Sequence, residues 1–204
     1  MVEQKATNIT THQGKVARHD RERLNGHRGF TLWFTGLSAS GKSTLAVAVE
    51  EALYERGCRT FILDGDNVRG GLCRDLGFSP DDRVENIRRI GEIAKLFRES
   101  GIIILTAFIS PYRSDRAIAR DLSADGDFVE VFVDCPLEVC EQRDPKGLYQ
   151  KARKGEIPNF TGIDAPYEPP GNPEIHLRTD QQTVEENVQS VLEYLETHHF
   201  ISRL

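Results

Sequence analysis

Short apolar runs alternate along this chain with stretches in which apolar residues recur every three or four positions. The runs at residues 30–35, 59–63, 102–107 and 128–134 are rich in β-branched and aromatic side chains, which is typical of buried strands. A shorter run at residues 174–178 predicts a fifth strand. Because the run at 102–107 is apolar throughout, we expect it to be covered on both faces.

The periodic stretches between these runs predict helices. Apolar residues at i, i+4 and i+8 indicate a helix over residues 42–55, and Ser79 is placed to cap a second helix over residues 81–99. Further helices are predicted at residues 114–122 and 183–198. Strands that alternate with helices indicate an α/β fold, in which a parallel, doubly wound sheet carries helices on both faces.

Two segments depart from this alternation. Residues 1–28 are polar and charged without a sustained period, which predicts a flexible N-terminal arm with a short helix near its end. Residues 144–173, the lid segment, combine lysines and arginines with glycines and prolines, and a long segment of this kind is typical of a mobile lid. Residues 29–204, including the lid segment, are expected to form one domain.

The turn between the first predicted strand and the first predicted helix fits the phosphate-loop pattern G-x-x-x-x-G-K-[ST]. This phosphate loop consists of Gly36, Leu37, Ser38, Ala39, Ser40, Gly41, Lys42, Ser43 and Thr44. Its backbone N–H groups and the positive end of the helix would cradle the phosphates of a nucleotide. Lys42 would reach the β- and γ-phosphates, and the Ser43 hydroxyl would bind Mg²⁺. We therefore predict that the chain binds ATP or GTP.

Composition narrows the partners of this nucleotide site. The net charge is −6, which argues against a nucleic-acid binder that relies on an overall basic field. No apolar run approaches the length of a membrane span, and the first residues lack the apolar core of a signal peptide. The cysteines, Cys58, Cys73, Cys135 and Cys140, form no C-x-x-C pair. We therefore expect reduced thiols in a cytoplasmic protein that binds neither nucleic acid nor membrane.

The phosphate loop alone leaves several classes of nucleotide enzyme open. The chain has no N-K-x-D guanine-reading motif, and no carboxylate ends the strand predicted at 102–107, which argues against a GTPase and an ATPase motor. A small-molecule kinase remains, because it needs a cationic lid and an acceptor pocket facing the phosphates. Asp64 and Asp66, at the end of the second predicted strand, would lie at that crevice. This motif could also form a turn and a helix N-cap, for which Asp66 or Asn67 is placed.

Several motifs, in order along the chain, resemble those of the adenylylsulfate kinase (APS kinase) family. They are DGDNVR at 64–69, LGFS at 76–79, DRVENIRR at 82–89, FISPYR at 108–113, KGLY at 146–149 and FTGI at 160–163. The resemblance implies a P-loop kinase fold with a lid. It also implies transfer of the γ-phosphate of MgATP to the 3′-hydroxyl of adenosine 5′-phosphosulfate (APS), giving 3′-phosphoadenosine 5′-phosphosulfate (PAPS) and ADP. A homodimer and a functional link to ATP sulfurylase are further implications.

The resemblance implies roles for single residues in binding APS. Arg69 and Arg83 would hold the phosphosulfate, for which guanidinium groups are well suited. Phe78 and Phe160 would sandwich the adenine of APS, since aromatic rings stack on bases. Asn86 would add a polar contact from the same helix as Arg83. Phe78 has an alternative interpretation as a residue of the hydrophobic core.

The remaining implied roles concern the transfer itself. Asp66 would orient the acceptor hydroxyl or take its proton, and Lys146 would cover the phosphates from the lid segment. Ile109 and Ser110 would contact substrate, and Ser110 matches the position that the family records as a phosphoserine intermediate. Its sequence neighbours offer no evident base, so we favour direct transfer with Ser110 binding substrate. Gly70 stands where the family often has a larger residue, commonly His, and could loosen the pocket.

Two other functions stay open at this point. One is a P-loop kinase that acts on a different small anionic or nucleotide acceptor. The other is a catalytically silent, nucleotide-sensing partner of ATP sulfurylase. Lys42, Ser43, Asp66 and Ser110 are all present, which argues against the silent partner.

Overall fold

The computed structural model describes residues 7–10, 12, 14–124 and 126–202. Its strands are β1 (Thr31–Thr35), β2 (Thr60–Asp64), β3 (Ile103–Ala107), β4 (Phe128–Asp134) and β5 (Ile175–Arg178). Its helices are α1 (Arg18–Asn25), α2 (Lys42–Glu55), α3 (Gly65–Gly70), α4 (Pro80–Glu99), α5 (Arg113–Asp121), α6 (Leu137–Arg143), α7 (Leu148–Arg153) and α8 (Val184–Thr197). Part of the predicted N-terminal arm lies outside the described residues. No described helix has both the length and the apolar content to cross a membrane.

The five strands form one parallel sheet in the order β2-β3-β1-β4-β5. β1 lies at the centre, where Leu32 is opposite Leu105 of β3 and Val129 of β4. Every residue of β1 and β3 is buried, as the apolar run at 102–107 predicted. The predicted α/β fold with a parallel, doubly wound sheet is therefore confirmed.

Helices cover both faces of this sheet. Since the side chains of a strand alternate between these faces, each strand contributes to two cores. Leu32 and Phe34 point into a core that they share with residues of α2 and α8. Trp33, between them, points into the opposite core, where Ile87 and Ile90 of α4 are buried. A third, smaller cluster joins the lid segment to the residues after β4 and contains Cys135, Cys140, Tyr149, Ala152 and Phe160.

The helix starts follow the signals that the sequence carries. The hydroxyl of Ser79 accepts a hydrogen bond from the backbone N–H of Asp82, so Ser79 caps α4 as predicted. Thr183 and Glu186 form a reciprocal capping box at the start of α8. The lid segment, predicted without regular structure, contains the short helix α7. Only Tyr149 and Ala152 of α7 are buried, and two residues are too few to produce a visible period.

Helix α1 is attached to the amino ends of the strands. Arg18 donates to the buried carboxylate of Asp127 and to the backbone oxygen of Gly29. Asn25 donates to the backbone oxygen of Gly101 at 2.8 Å. Burial is the largest single influence and alone would raise the pKa of Asp127, but the hydrogen bonds and charges of Arg18 and Arg28 together outweigh it and hold that pKa below its usual value. Because Gly29, Gly101 and Asp127 precede β1, β3 and β4, α1 lies at the edge of the sheet where these strands begin.

Candidate functional site

The carboxyl ends of β1, β2 and β3 meet at one edge of the sheet and carry three of the predicted motifs. Gly36 follows β1, Asp64 ends β2, and Phe108 follows β3. In an open parallel sheet this edge is where ligands bind. The structure thus brings the phosphate loop, the DGDNVR motif after β2 and the loop with Ser110 after β3 to the same side of the molecule.

The phosphate loop has the backbone conformation that its glycines allow. Gly36 and Gly41 have φ angles of 154° and 101°, and Ala39 has a φ of 59°. A Cβ atom on Gly36 would lie 2.4 Å from the backbone oxygen of Val133, so a larger residue could not be accommodated there. α2 begins at Lys42, within the phosphate loop, so the free N–H groups of its first turn belong to the same loop. This arrangement fits an anion.

Lys42 is turned onto its own loop. Its Nζ donates to the backbone oxygens of Gly36 at 3.0 Å and of Leu37 at 2.6 Å, and the residue is only 8% exposed. This burial lowers the pKa of Lys42 to about 8. A phosphate group placed against the ammonium would compensate this desolvation, because an opposite charge favours the charged form.

Ser43 and Asp64 provide oxygen atoms of the kind that Mg²⁺ prefers. The Ser43 hydroxyl donates to Oδ2 of Asp64 at 2.7 Å, while Oδ1 of Asp64 accepts from the backbone N–H of Asp66 and caps α3. A hydroxyl and a carboxylate beside a phosphate-binding loop fit a magnesium ion. The sequence predicts Ser43 alone as the metal ligand, although a carboxylate at the end of a predicted strand is also a signal for Asp64.

The first part of the predicted acceptor pocket is open. The Phe78 side chain is 66% exposed, so Phe78 is not a core residue. The guanidinium of Arg69 lies 4.3 Å from the centre of the Phe78 ring and donates to the backbone oxygen of Gly77 at 2.7 Å. Burial lowers the pKa of Arg69. A Cβ atom on Gly70 would meet no atom within 4 Å, so this position has room for a larger side chain.

Arg83 connects this pocket to the lid segment. Its Nε donates to the backbone oxygen of Phe78 at 3.0 Å, and its two terminal nitrogens donate to Oγ1 of Thr161 at 3.1 Å and to the backbone oxygen of Asn159 at 2.6 Å. These contacts flank the buried Phe160. The guanidinium that was predicted to hold phosphosulfate thus holds together the two segments that carry the aromatic rings.

Asn86, on α4, lies deep in the same region. Asn86 is 3% exposed, and its amide oxygen accepts no hydrogen bond from the residues that the structure describes. A buried oxygen of this kind is a candidate for contact with a ligand.

Lys146 of the lid segment forms an ion pair with Asp66 of α3, and both side chains are exposed. The pair joins the lid segment to the predicted catalytic carboxylate.

Ser110 is buried and conformationally strained. It is 3% exposed and has a φ of 40°. Its Oγ accepts a hydrogen bond from Nε1 of Trp33 at 3.1 Å and lies 3.5 Å from the backbone oxygen of Phe108. No histidine or carboxylate among the described residues contacts this hydroxyl. The neighbouring Ile109 accepts a hydrogen bond from Thr35 through its backbone oxygen, so this loop is anchored to β1.

Two contacts to the phosphate loop were not predicted from the sequence. The Tyr149 hydroxyl donates to the backbone oxygen of Ser38 at 3.0 Å, and Oγ1 of Thr179 donates to that of Ser40 at 2.8 Å. Arg143 holds Thr179 through its backbone oxygen. Tyr149 belongs to the KGLY motif, which marks its position but does not indicate its partner. Thr179 belongs to no motif, so its contact had no signal in the sequence.

A cavity of about 510 Å³ lies between the phosphate loop and the lid segment. It is lined by Leu37 and by residues 162–167. Gly162 approaches the phosphate loop closely, since a Cβ atom on it would lie 3.1 Å from a methyl carbon of Leu37. The space between the two segments is thus bordered by the FTGI motif.

Comparison with known proteins agrees with this arrangement. The family model of adenylylsulphate kinase matches residues 28–178. An adenylyl-sulfate kinase from Acaryochloris marina is 59% identical over 192 residues, which cover 94% of each chain. The Mycobacterium tuberculosis APS kinase CysC, solved with AMPPNP and APS, is 53% identical with a TM-score of 0.80 and covers 83% of this chain and 99% of its own. A hexameric APS kinase from Thiobacillus denitrificans is 36% identical with a TM-score of 0.67 and covers 92% of this chain, which matches 32% of that longer chain. The chain therefore belongs to the adenylylsulphate kinase family.

Proposed function

We infer that this protein is an adenylylsulfate kinase, which transfers the γ-phosphate of ATP to the 3′-hydroxyl of APS and releases PAPS and ADP. The observation that carries this inference is the convergence of the motifs on one edge of the sheet. A phosphate loop, an exposed aromatic ring stacked on an arginine and a basic lid segment all lie there. The relative from Mycobacterium tuberculosis that was solved with AMPPNP and APS supports both halves of the site.

ATP is held by the phosphate loop in this proposal. The backbone N–H groups of residues 36–44 surround the phosphates, and Lys42 exchanges its bonds to Gly36 and Leu37 for bonds to phosphate oxygens. Ser43 and Asp64 would hold Mg²⁺, which would neutralise charge on the phosphates of ATP. The negative charge of the phosphates compensates the desolvation that lowers the pKa of the Lys42 ammonium to about 8.

APS is held by the pocket between α4 and the lid segment. Phe78 and Phe160 stack on the two faces of its adenine, and Arg69, already positioned against Phe78, reaches the phosphosulfate. The partnerless amide oxygen of Asn86 accepts a hydrogen bond from the substrate. To contact the phosphosulfate as predicted, Arg83 must release Asn159 and Thr161. Part of the role of Arg83 is therefore to position the rings of Phe78 and Phe160.

Phosphoryl transfer proceeds directly from ATP to APS. Asp66 orients the 3′-hydroxyl and accepts its proton, and the ion pair with Lys146 links this carboxylate to the lid segment. Lys146 in turn brings a positive charge from the lid segment toward the transferred group. Ser110 and Ile109 line the acceptor end of the site, with Ser110 held by Trp33. The absence of a base beside Ser110, among the described residues, supports direct transfer over a phosphoserine intermediate.

Assembly and partners extend the proposal. We expect a homodimer, as the family resemblance implies, although the Thiobacillus denitrificans relative is a hexamer. A functional link to ATP sulfurylase and a cytoplasmic location stay predictions. The sequence and fold give no reason to add nucleic acid or membrane to the partners.

The experiment that tests the function measures ADP release with APS as the acceptor. We expect ADP to form only when APS is present, with a product whose new phosphate is at the 3′-position by ³¹P NMR. AMP and adenosine serve as alternative acceptors, because they share the adenine but lack the phosphosulfate. Preference for either of them, or ADP release that ignores APS, would favour another P-loop kinase. Binding of ATP without turnover of any acceptor would favour the nucleotide-sensing protein.

A further inference from the structure

Tyr149 makes two contacts that lead to different parts of the site. It lies in the first turn of α7, inside the lid segment, and is only 1% exposed. Its hydroxyl donates to the backbone oxygen of Ser38 in the phosphate loop at 3.0 Å. Its ring meets the ring of Phe160 almost perpendicularly, with centroids 5.0 Å apart and planes at 74°. One buried side chain therefore touches both a proposed ATP-binding loop and a proposed APS-binding ring.

The contact with Ser38 fixes one peptide unit of the phosphate loop. In a trans peptide the carbonyl and the following N–H point in opposite directions. The hydrogen bond to Tyr149 consequently turns the N–H of Ala39 away from the lid segment, and this N–H donates to no other residue that the structure describes. Ala39 has a positive φ, and a loop with such a residue can gather successive N–H groups around an anion. Tyr149 thereby helps to aim a donor of the phosphate loop.

The contact with Phe160 fixes the orientation of a ring. The main chain of Phe160 is already held, because its backbone oxygen accepts hydrogen bonds from Ile163 and Ala165. Rotation of the side chain is what remains free, and an edge-to-face partner restricts that rotation. A ring that stacks on adenine must present its face in one direction, so Tyr149 selects the orientation that Phe160 offers.

The surroundings of Tyr149 keep both contacts intact. Cys135, Cys140 and Ala152 are buried around it, which leaves its ring little room to move. Burial also raises the pKa of the Tyr149 hydroxyl, so the group keeps the proton that it donates to Ser38. The hydrogen bond to Ser38 thus keeps its donor at neutral pH.

We propose that Tyr149 is a positioning residue that couples the phosphate loop to Phe160. This proposal rests on the proposed function, in which the phosphate loop binds ATP and Phe160 stacks on APS. Binding of either nucleotide favours the arrangement in which Tyr149 contacts both Ser38 and Phe160, over arrangements in which one of these contacts is broken. Each nucleotide therefore changes the affinity for the other by one common factor, as thermodynamic linkage requires.

The test compares the Kd for APS with and without a non-hydrolysable ATP analogue, in the full-length protein. The ratio of the two constants measures the coupling, and in the wild type it should differ from one. Tyr149→Phe removes the hydroxyl and keeps the ring. We expect its Kd for APS alone to change less than about twofold while the ratio moves toward one by about threefold or more, as loss of a neutral hydrogen bond would produce. Phe160→Leu breaks the same link from the other side and should also bring the ratio toward one.

Tyr194→Phe is the matched control. Tyr194 lies in α8, outside the lid segment and outside the residues placed at either nucleotide, and its ring stacks on His198. We expect this variant to keep the wild-type ratio. A wild-type ratio of one, or an unchanged ratio in Tyr149→Phe, would show that Tyr149 only fills the core and would overturn the proposal while APS-dependent turnover still supports the function. A wild type that does not bind APS would overturn both.

Discussion

The indole N–H of Trp33 donates to Oγ of Ser110 at 3.1 Å, and both residues are buried. The serine hydroxyl therefore uses one of its two lone pairs to accept a structural hydrogen bond. Its own proton faces the backbone oxygen of Phe108 at 3.5 Å, which is too long for a strong bond and is not a base. This geometry fits a serine that shapes the acceptor end of the site better than one that carries a phosphoryl group.

Replacing Ser110 with Ala should leave a working enzyme. We expect kcat/KM for APS to fall about threefold to twelvefold, the effect of one neutral hydrogen bond. The free energy of unfolding should also fall by about 1–3 kcal/mol, because the buried N–H of Trp33 loses its acceptor. Steady-state kinetics and chemical denaturation measure the two effects.

The double variant with Trp33→Phe checks the cause of that instability. Since Trp33→Phe removes the donor, its cost and that of Ser110→Ala should not add. Wild-type protein incubated with γ-labelled ATP and no APS should remain unlabelled. Stoichiometric label on Ser110 that APS discharges would establish the phosphoserine route instead.

Lys42 should give the protein a characteristic dependence of stability on pH. Its pKa is about 8 in the folded protein against an ordinary value of 10.5, so between these pH values the unfolded chain binds more protons than the folded one. The contribution of Lys42 to the free energy of unfolding must then rise between pH 8 and pH 10.5, by up to about 3 kcal/mol. Below pH 8 both states are protonated and the cost of burying the charge is constant.

Lys42→Met isolates this contribution. The thiol of Cys140 and the phenol of Tyr167, whose pKa values are raised to about 12, give a slope of opposite sign in both proteins. The difference between wild type and Lys42→Met in nucleotide-free denaturation curves should therefore shrink as pH rises from 8 to 10.5. Turnover of the variant should collapse at every pH. A difference that does not vary with pH would mean that the loop carbonyls fully replace water around the ammonium.

The exposed ring of Phe78 should matter for APS and not for stability. Phe78→Ala removes one stacking face, which is worth about 1–3 kcal/mol per base, so the Kd for APS should rise by about fivefold or more. The Kd for ATP and the melting temperature should change little, because the side chain is 66% exposed. Tyr54→Ala, which removes an exposed aromatic ring from α2, is the control and should affect neither nucleotide. Equal weakening of ATP and APS by Phe78→Ala would remove Phe78 from the acceptor pocket.

Local signals in the sequence account for most of the fold. The bounds of α2 and β4 agree with the prediction residue by residue, because glycines and turn residues punctuate both elements. Ser79 caps α4 as predicted, since the cap depends on residues within one turn. The short helix α7 was missed because its burial depends on a cluster assembled from the distant segments before and after it.

The candidate site was less predictable because its contacts join distant parts of the chain. The partners of Arg83 in the lid segment, Asn159 and Thr161, are 76 and 78 residues away, and no local pattern encodes such a contact. The family resemblance supplied the position of Arg83 and its ligand role, but could not show that the guanidinium holds protein oxygens in the absence of substrate. The contact between Ser43 and Asp64 likewise requires the sheet order that brings β2 beside the loop.

Asp64→Asn should raise the Mg²⁺ concentration that half-maximal activity requires. Asparagine keeps an oxygen that can cap α3, but it loses the negative charge that would attract the cation. We expect a shift of about tenfold in a magnesium titration at fixed ATP, with an unchanged melting temperature for the nucleotide-free protein. Asp75→Asn, at an exposed carboxylate that pairs with Arg89 away from the phosphate loop, should leave the titration unchanged. Identical curves for wild type and Asp64→Asn would leave Ser43 as the protein's ligand.

The attachment of α1 has a practical consequence for handling this enzyme. Arg18 and Asn25 tie that helix to residues just before β1, β3 and β4, whereas the phosphate loop and the acceptor pocket lie at the opposite ends of the strands. A surface or a fused protein attached ahead of Arg18 therefore approaches from behind the sheet. Immobilisation through that end leaves the nucleotide entrance facing solution, while an attachment within the lid segment would obstruct it.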